Sequence, residues 1–239
     1  MIPPGGTTPH PTDAAPASRS SSVVVSVVLG TLGFTFVSTV AFGVWAFGGS
    51  WFRWPGGEPT MYAVIALVFA GLTSFVLSPL IHGERRPGRF ARVFVPAFLA
   101  YAALWSACWF ALGSGLGEWL GALAGSAAFV GLAARFLKTK APAAVALGIA
   151  VFFAAHTAGY FAGGQAMAHF MKAARQEPQR SPARARWATV AKLSWGVCYG
   201  LGFGAGMGFA FHRLQRDPRA TAPAPTLSSV HPDRGHAPT

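Results

Sequence analysis

The chain has 239 residues, of which 52% are hydrophobic and only 11% are charged, and its mean hydropathy is +0.42. Soluble domains carry about 25% charged residues, so the composition excludes an ordinary soluble enzyme. The apolar residues lie in blocks of about 20, the length that a bilayer requires of a helix. These features predict an integral membrane protein made of helices, because barrel strands would alternate over about ten residues.

The formal net charge is +12, and most cations lie between the apolar blocks. This placement indicates orientation in a membrane and not nucleic-acid binding. The two cysteines, Cys108 and Cys198, each lie inside an apolar block, which excludes a disulfide framework and a cysteine metal site. We predict no cofactor and no metal ion.

Six apolar blocks predict six transmembrane helices within a domain at residues 23–213, flanked by disordered tails at 1–22 and 214–239 that are rich in Pro, Ala, Ser and Thr. In chain order, the predicted spans are residues 23–47, 61–81, 93–113, 119–137, 142–163 and 193–211.

The basic residues favour a cytoplasmic N-terminus, with eleven cations inside and seven outside. The outer set consists of Arg53 in the first link and six residues in or just beyond the fifth link: Lys172, Arg175, Arg180, Arg184, Arg186 and Lys192. A re-entrant hairpin at 142–171 would move these link cations inside. Because residues 142–163 contain no charge, a full span is the preferred interpretation.

The sixth span is rich in glycine, with six glycines among the thirteen residues 196–208. Four of them recur every fourth residue and share one helical stripe: Gly196, Gly200, Gly204 and Gly208. Gly202 and Gly206 fall on the other side. Small residues allow close helix packing in lipid, whereas glycines on two faces are also compatible with a hinge of the kind found in transporters.

Similar ladders occur in the fourth span (Gly117, Gly121 and Gly125) and in the fifth (Ala155, Gly159 and Gly163). They predict that the last three helices pack on one another.

None of the seven acidic residues lies within a predicted span, which argues against proton pumps and cation antiporters. His156 is the ionisable residue in the middle of a span, and Tyr160 follows one turn later on the same face. We regard both as intramembrane polar candidates. His156 has two interpretations: a neutral imidazole satisfied by a neighbouring group, or a functional base.

Residues 155–163 read Ala-His-Thr-Ala-Gly-Tyr-Phe-Ala-Gly, which resembles the His-x-x-Gly-x-x-x-Gly helix of rhomboid intramembrane serine proteases. Residues 125–131 are similar to the serine helix of that family, and 51–53 to its first loop. The resemblance implies a Ser126 nucleophile with His156 as its base. The chain departs from the family in having no Asn, no Gly-x-Ser-Gly pattern around Ser126, and no span between the two helices.

The expected function is non-catalytic, either a small-solute permease or a packing subunit of a membrane assembly, with a rhomboid-like hydrolase as the alternative. A permease should have a polar cavity near His156 and the glycines of the sixth span, whereas a packing subunit should be dry inside. The expected partners are the lipid bilayer and a membrane protein, or a second copy, at the glycine-rich faces. The composition fits the cytoplasmic membrane of a bacterium.

Overall fold

A computed structural model of the chain describes residues 22–81 and 87–216. The elements in this part of the chain are all helical, and the six long helices are α1 Val23–Gly48, α2 Gly57–Val76, α3 Pro87–Leu112, α4 Leu116–Phe136, α5 Pro142–Gln176 and α6 Pro182–Leu214. A short 3-10 turn, Ser78–Leu80, follows α2. The tails predicted at 1–22 and 214–239 lie outside the described residues, except for residue 22 and residues 214–216.

Helices α1 to α5 are each long and apolar enough to cross a bilayer. The sixth helix has the length but less hydropathy, because its six glycines contribute almost none. The prediction of an all-helical, multi-pass membrane bundle is confirmed.

Several helices end at residues other than the predicted limits of their spans, because hydropathy marks the membrane rather than the ends of a helix. The fifth and sixth helices exceed their predicted spans of 142–163 and 193–211, since the added residues include strong helix formers such as Ala, Met, Lys and Arg. The second span, predicted at 61–81, is a helix that ends at Val76, with Pro79 in the turn that follows.

Successive helices are neighbours, and α6 returns to lie beside α1, so the six helices form a closed ring. The most extensive contacts are those of α6 with α5 and with α1, whereas α2 packs less closely on its neighbours. Stacked phenylalanine rings occupy the interior, with centroid distances of 4.5 Å between Phe34 and Phe203 and 4.8 Å between Phe129 and Phe152. These rings are fully buried and join α1, α4, α5 and α6.

Helices α5 and α6 form an antiparallel pair that extends beyond the rest of the bundle. Each is about 50 Å long at 1.5 Å per residue, against a hydrocarbon core of about 30 Å. Lys192 meets the last turn of α1 at Trp45, so the residues of α6 before Lys192 project past that end. At the projecting end of this helix pair, the Ser181 side chain caps the first turn of α6. The Phe170 ring of α5 stacks there on the Trp187 ring of α6, with a centroid distance of 6.0 Å. Because α5 is one continuous helix, the re-entrant alternative at 142–171 is wrong.

Candidate functional site

A cavity of about 490 Å³ lies inside the ring of helices, at the end where α1 finishes and α2 begins. Its deepest side chains, Phe69, Phe98 and Tyr101, are buried, and Tyr101 lies near the middle of α3. The cavity therefore reaches about half-way along the bundle. Its lining residues come from α1, α2, α3, α5 and α6: Phe42, Trp45, Tyr62, Ile65, Phe69, Phe98, Tyr101, Ala102, Trp105, Ser106, Tyr160, Trp195 and Tyr199.

Aromatic side chains make up most of the cavity wall, and all four tyrosines of the chain are among them. The rings contact one another around the wall. Trp105 and Trp195 lie 5.5 and 5.9 Å from Tyr160, measured between ring centroids. Phe42 continues the wall at 6.4 Å from Trp195 and 6.4 Å from Tyr199. Together with the aromatic residues of α2, five helices contribute to one aromatic surface.

His156 lies directly beneath the cavity floor and is fully buried. Its Nε2 is hydrogen-bonded to the Tyr101 hydroxyl at 2.6 Å. Tyr101 also interacts through its hydroxyl with Tyr199, and the rings of Phe152 and Phe203 enclose the imidazole. A polar connection therefore runs from the cavity wall into the centre of an otherwise aromatic core.

The two other tyrosines of the wall are paired with carboxylates. Tyr160 donates a hydrogen bond of 3.1 Å to one oxygen of Glu118, and the other oxygen of that carboxylate accepts the backbone N–H of Gly115. Tyr62 donates to Glu58 at 3.4 Å. Both glutamates lie in the first turns of their helices, where the helix dipole stabilises negative charge.

A basic side chain also lies close to the cavity. The Lys192 ammonium is 4.8 Å from the centroid of the Trp45 ring and donates a hydrogen bond of 3.2 Å to the backbone carbonyl of Trp45. The group thus satisfies a carbonyl in the last turn of α1, where the helix dipole favours a cation. Trp45 has one cation on its ring already.

The glycines of α6 lie against two different helices. On one side, a Cβ added to Gly204 would lie 2.9 Å from the carbonyl carbon of Gly30 in α1. On the other side, a Cβ on Gly202 would lie 2.8 Å from the Cα of Gly159 in α5. Gly196, Gly200 and Gly208 also meet α1, and Gly206 meets Phe152 of α5. Helix α6 is continuous through all six positions.

The glycine ladder of α4 packs differently from the expectation. A Cβ on Gly117 would lie 2.6 Å from the carbonyl oxygen of Cys108, and one on Gly125 would lie 2.6 Å from the Tyr101 ring. Both neighbours belong to α3. Helices α4, α5 and α6 do contact one another, as predicted, but the glycine ladder of α4 faces α3 instead of α5 or α6.

Ser126 and His156 are both buried, but they are not hydrogen-bonded to each other. The Ser126 hydroxyl and Nδ1 of His156 each have no hydrogen-bond partner in the described part of the chain, while Nε2 is bonded to Tyr101. His156 and Tyr160 lie on one face as predicted, with their ring centroids 6.3 Å apart. Sequence reasoning missed Tyr101, although it is the one tyrosine within the third predicted span.

Comparison with known proteins identifies no matching family model, curated protein or solved structure. Within residues 22–81 and 87–216, no three His, Cys, Asp or Glu side chains come together as a metal site would require. The cavity is therefore the feature from which a function has to be argued.

Proposed function

We propose that this protein binds a small, largely apolar organic molecule in the aromatic cavity and carries it across or within the cytoplasmic membrane of a bacterium. The observation that supports this proposal is a cavity of about 490 Å³ that extends from the end of α1 to about half-way along the bundle and is lined mainly by aromatic side chains. Ligand pockets of roughly 300–1,000 Å³ with mainly aromatic and apolar walls are typical of small-molecule sites.

The composition of the wall argues for an organic solute and against a hydrated inorganic ion. Its polar groups are the tyrosine hydroxyls, the Trp indole nitrogens and Ser106, and an ion leaving water would need several coordinating oxygens in their place. A packing subunit has less support, because α1 and α5 already cover the glycine faces of α6. A protein partner at those faces would have to displace a helix of the same chain.

The same contacts support close packing, rather than a hinge, as the role of Gly196, Gly200, Gly202, Gly204, Gly206 and Gly208. Added side chains would meet backbone atoms at several of these positions. In lipid, such close approach is a principal source of helix association.

The binding proposal is tested by titrating three probes of nearly equal size into the protein in lipid nanodiscs, with empty nanodiscs as the blank. The probes are benzyltrimethylammonium, neopentylbenzene and phenylmethanesulfonate, and calorimetry reports their affinities. Saturable binding of at least one probe is expected. No binding above the blank for all three would refute the proposal.

A pair of variants on α2 shows whether the bound probe occupies the cavity. Ile65→Trp places an indole ring in the cavity wall, whereas Leu67→Trp adds the same ring at a position that is 71% exposed. We expect Ile65→Trp to weaken binding by about tenfold or more, since filling the site excludes the ligand. Equal affinities for the two variants would place the probe outside the cavity.

We further propose that the N-terminus is cytoplasmic, so that the link between α5 and α6 faces outwards. Thiol labelling of intact cells checks this orientation in a Cys108→Ala, Cys198→Ala background. A cysteine at Gln179 should react with a membrane-impermeant reagent, and one at Lys140, between α4 and α5, should not. The reverse pattern would refute the orientation and leave the binding proposal intact.

A further inference from the structure

We propose that the ligand of the cavity is an organic cation, namely a quaternary or protonated amine with apolar substituents. This inference rests on the proposed function and names its ligand class. Two independent features carry it: the kinds of ring that line the wall, and the carboxylates behind two of these rings. The depth of the site sets the cost that they must offset.

The first feature is the predominance of tyrosine and tryptophan in the wall. Seven of the lining side chains are of these two types, and three are Phe. An aliphatic wall would suit a neutral apolar solute equally well. The faces of Trp and Tyr rings attract a cation within about 6 Å of their centroids, and several rings around one site form the aromatic cage that recognises quaternary ammonium groups.

The second feature is the pairing of wall tyrosines with carboxylates. Glu118 and Glu58 accept hydrogen bonds from the hydroxyls of Tyr160 and Tyr62, whose rings line the cavity. Each bond polarises the phenol towards the phenolate, which makes the ring face more negative. The half-buried Glu118 also contributes negative potential close to the wall without entering the cavity, whereas the exposed Glu58 is screened by solvent and contributes less.

The depth of the site sets the desolvation cost that these two features must offset. A cation inside the bundle pays a large desolvation cost, so intramembrane sites for charged ligands need compensating groups. Here, compensation comes from ring faces and from the oxygens of Tyr101 and Tyr199 at the inner end. Substituted ammonium ions are weakly hydrated compared with inorganic cations, so this kind of compensation suits them.

Lys192 is the group that opposes a cationic ligand. Its ammonium lies over the Trp45 ring, but it is not among the residues of the cavity wall. Within the protein itself, the Lys192 ammonium is thus already bound to one ring of the wall, that of Trp45. An exogenous cation would use the remaining rings, on the side of the cavity formed by Tyr62, Trp105 and Tyr160.

The three probes of the binding titration test this inference, because they share a benzyl group and a tetrahedral head and differ in charge. We expect benzyltrimethylammonium to bind about tenfold or more tightly than neopentylbenzene, with phenylmethanesulfonate the weakest. Tightest binding of the neutral probe or of the anion would overturn the inference while leaving the binding proposal standing. Failure of all three probes would refute the binding proposal itself.

A matched pair of variants then assigns the charge preference to the carboxylates. Glu118→Gln keeps an acceptor for Tyr160 and removes the charge, whereas Glu177→Gln removes a charge at the far connection between α5 and α6. We expect Glu118→Gln to weaken binding of the cation about threefold or more and to leave neopentylbenzene unaffected. Glu177→Gln should change neither. An unchanged cation affinity in Glu118→Gln would overturn the role given to this carboxylate.

Discussion

The two sides of α6 and the space enclosed by α2 and α3 show opposite uses of apolar side chains. Along α6, glycines bring backbones of α1 and α5 into contact and leave no room for a Cβ. Near α2 and α3, large aromatic rings line a cavity of about 490 Å³. Both regions are apolar, so hydropathy does not distinguish them. The size of the side chains distinguishes the region where helices pack closely from the region that contains a cavity.

The largest expected effect comes from breaking the closed region. Gly204→Leu places a side chain against backbone atoms of Gly30, which cannot move aside without separating α1 from α6. We expect no monodisperse protein in detergent, since overpacking by a single residue costs about 1–3 kcal/mol and here a whole side chain must be accommodated. Size-exclusion chromatography of the extracted variant measures this outcome.

Gly71→Leu is the matched control, because an added Cβ at Gly71 meets no atom within 4 Å. It should yield protein that elutes and melts like the parent. If both variants behave alike, close packing at Gly204 is not what holds α6 in place.

An intermediate effect is expected where the two regions meet, at the hydrogen bond between Tyr101 and His156. Tyr101→Phe leaves Nε2 of a fully buried imidazole without its partner, which costs about 1–3 kcal/mol of the free energy of unfolding. The thermal midpoint of the purified protein should fall accordingly.

The double variant Tyr101→Phe, His156→Phe removes both polar groups and should recover part of the lost stability. An additive loss in the double variant would contradict a coupled pair. The single variants and the double variant together give the coupling energy directly.

The smallest expected effect concerns the cavity and comes from a substitution of Lys192. Lys192→Gln removes the cation that lies over Trp45 while keeping a donor for the Trp45 carbonyl. We expect affinity for benzyltrimethylammonium to rise about two- to fivefold, because a repulsive charge is lost and one more ring face becomes available. Affinity for neopentylbenzene should stay constant. A fall in cation affinity would mean that Lys192 supports the site instead of competing with it.

The sequence predicts the number and type of the helices well, because about 20 uncharged residues in a row have few alternatives in a bilayer. It also separates Gly202 and Gly206 from the four-residue stripe, since helical periodicity alone assigns these faces. The ends of α5 and α6 lie outside their predicted spans; α5, for example, continues through Lys172 after its apolar block has ended.

The character of the cavity was not predictable in the same way. The cavity expected of a permease was polar and near His156 and the glycines of α6, whereas the observed wall lies above His156 but is mainly aromatic and contains none of those glycines. Tyr62, Tyr101, Tyr160 and Tyr199 lie on four different helices, and no local pattern relates one to another. Only the order of the helices around the ring brings their rings together. His156 drew attention because ionisable residues in spans are rare, but its partner depends on how α3 faces α5.

The projecting pair of α5 and α6 has a practical consequence for imaging. A protein of 25.0 kDa leaves little mass outside a detergent micelle, so single particles are hard to align. The stacked Phe170 and Trp187 rings tie the two helices together near their tip. A rigid helical fusion or an antibody fragment raised against this tip would provide the fiducial mark that such particles lack.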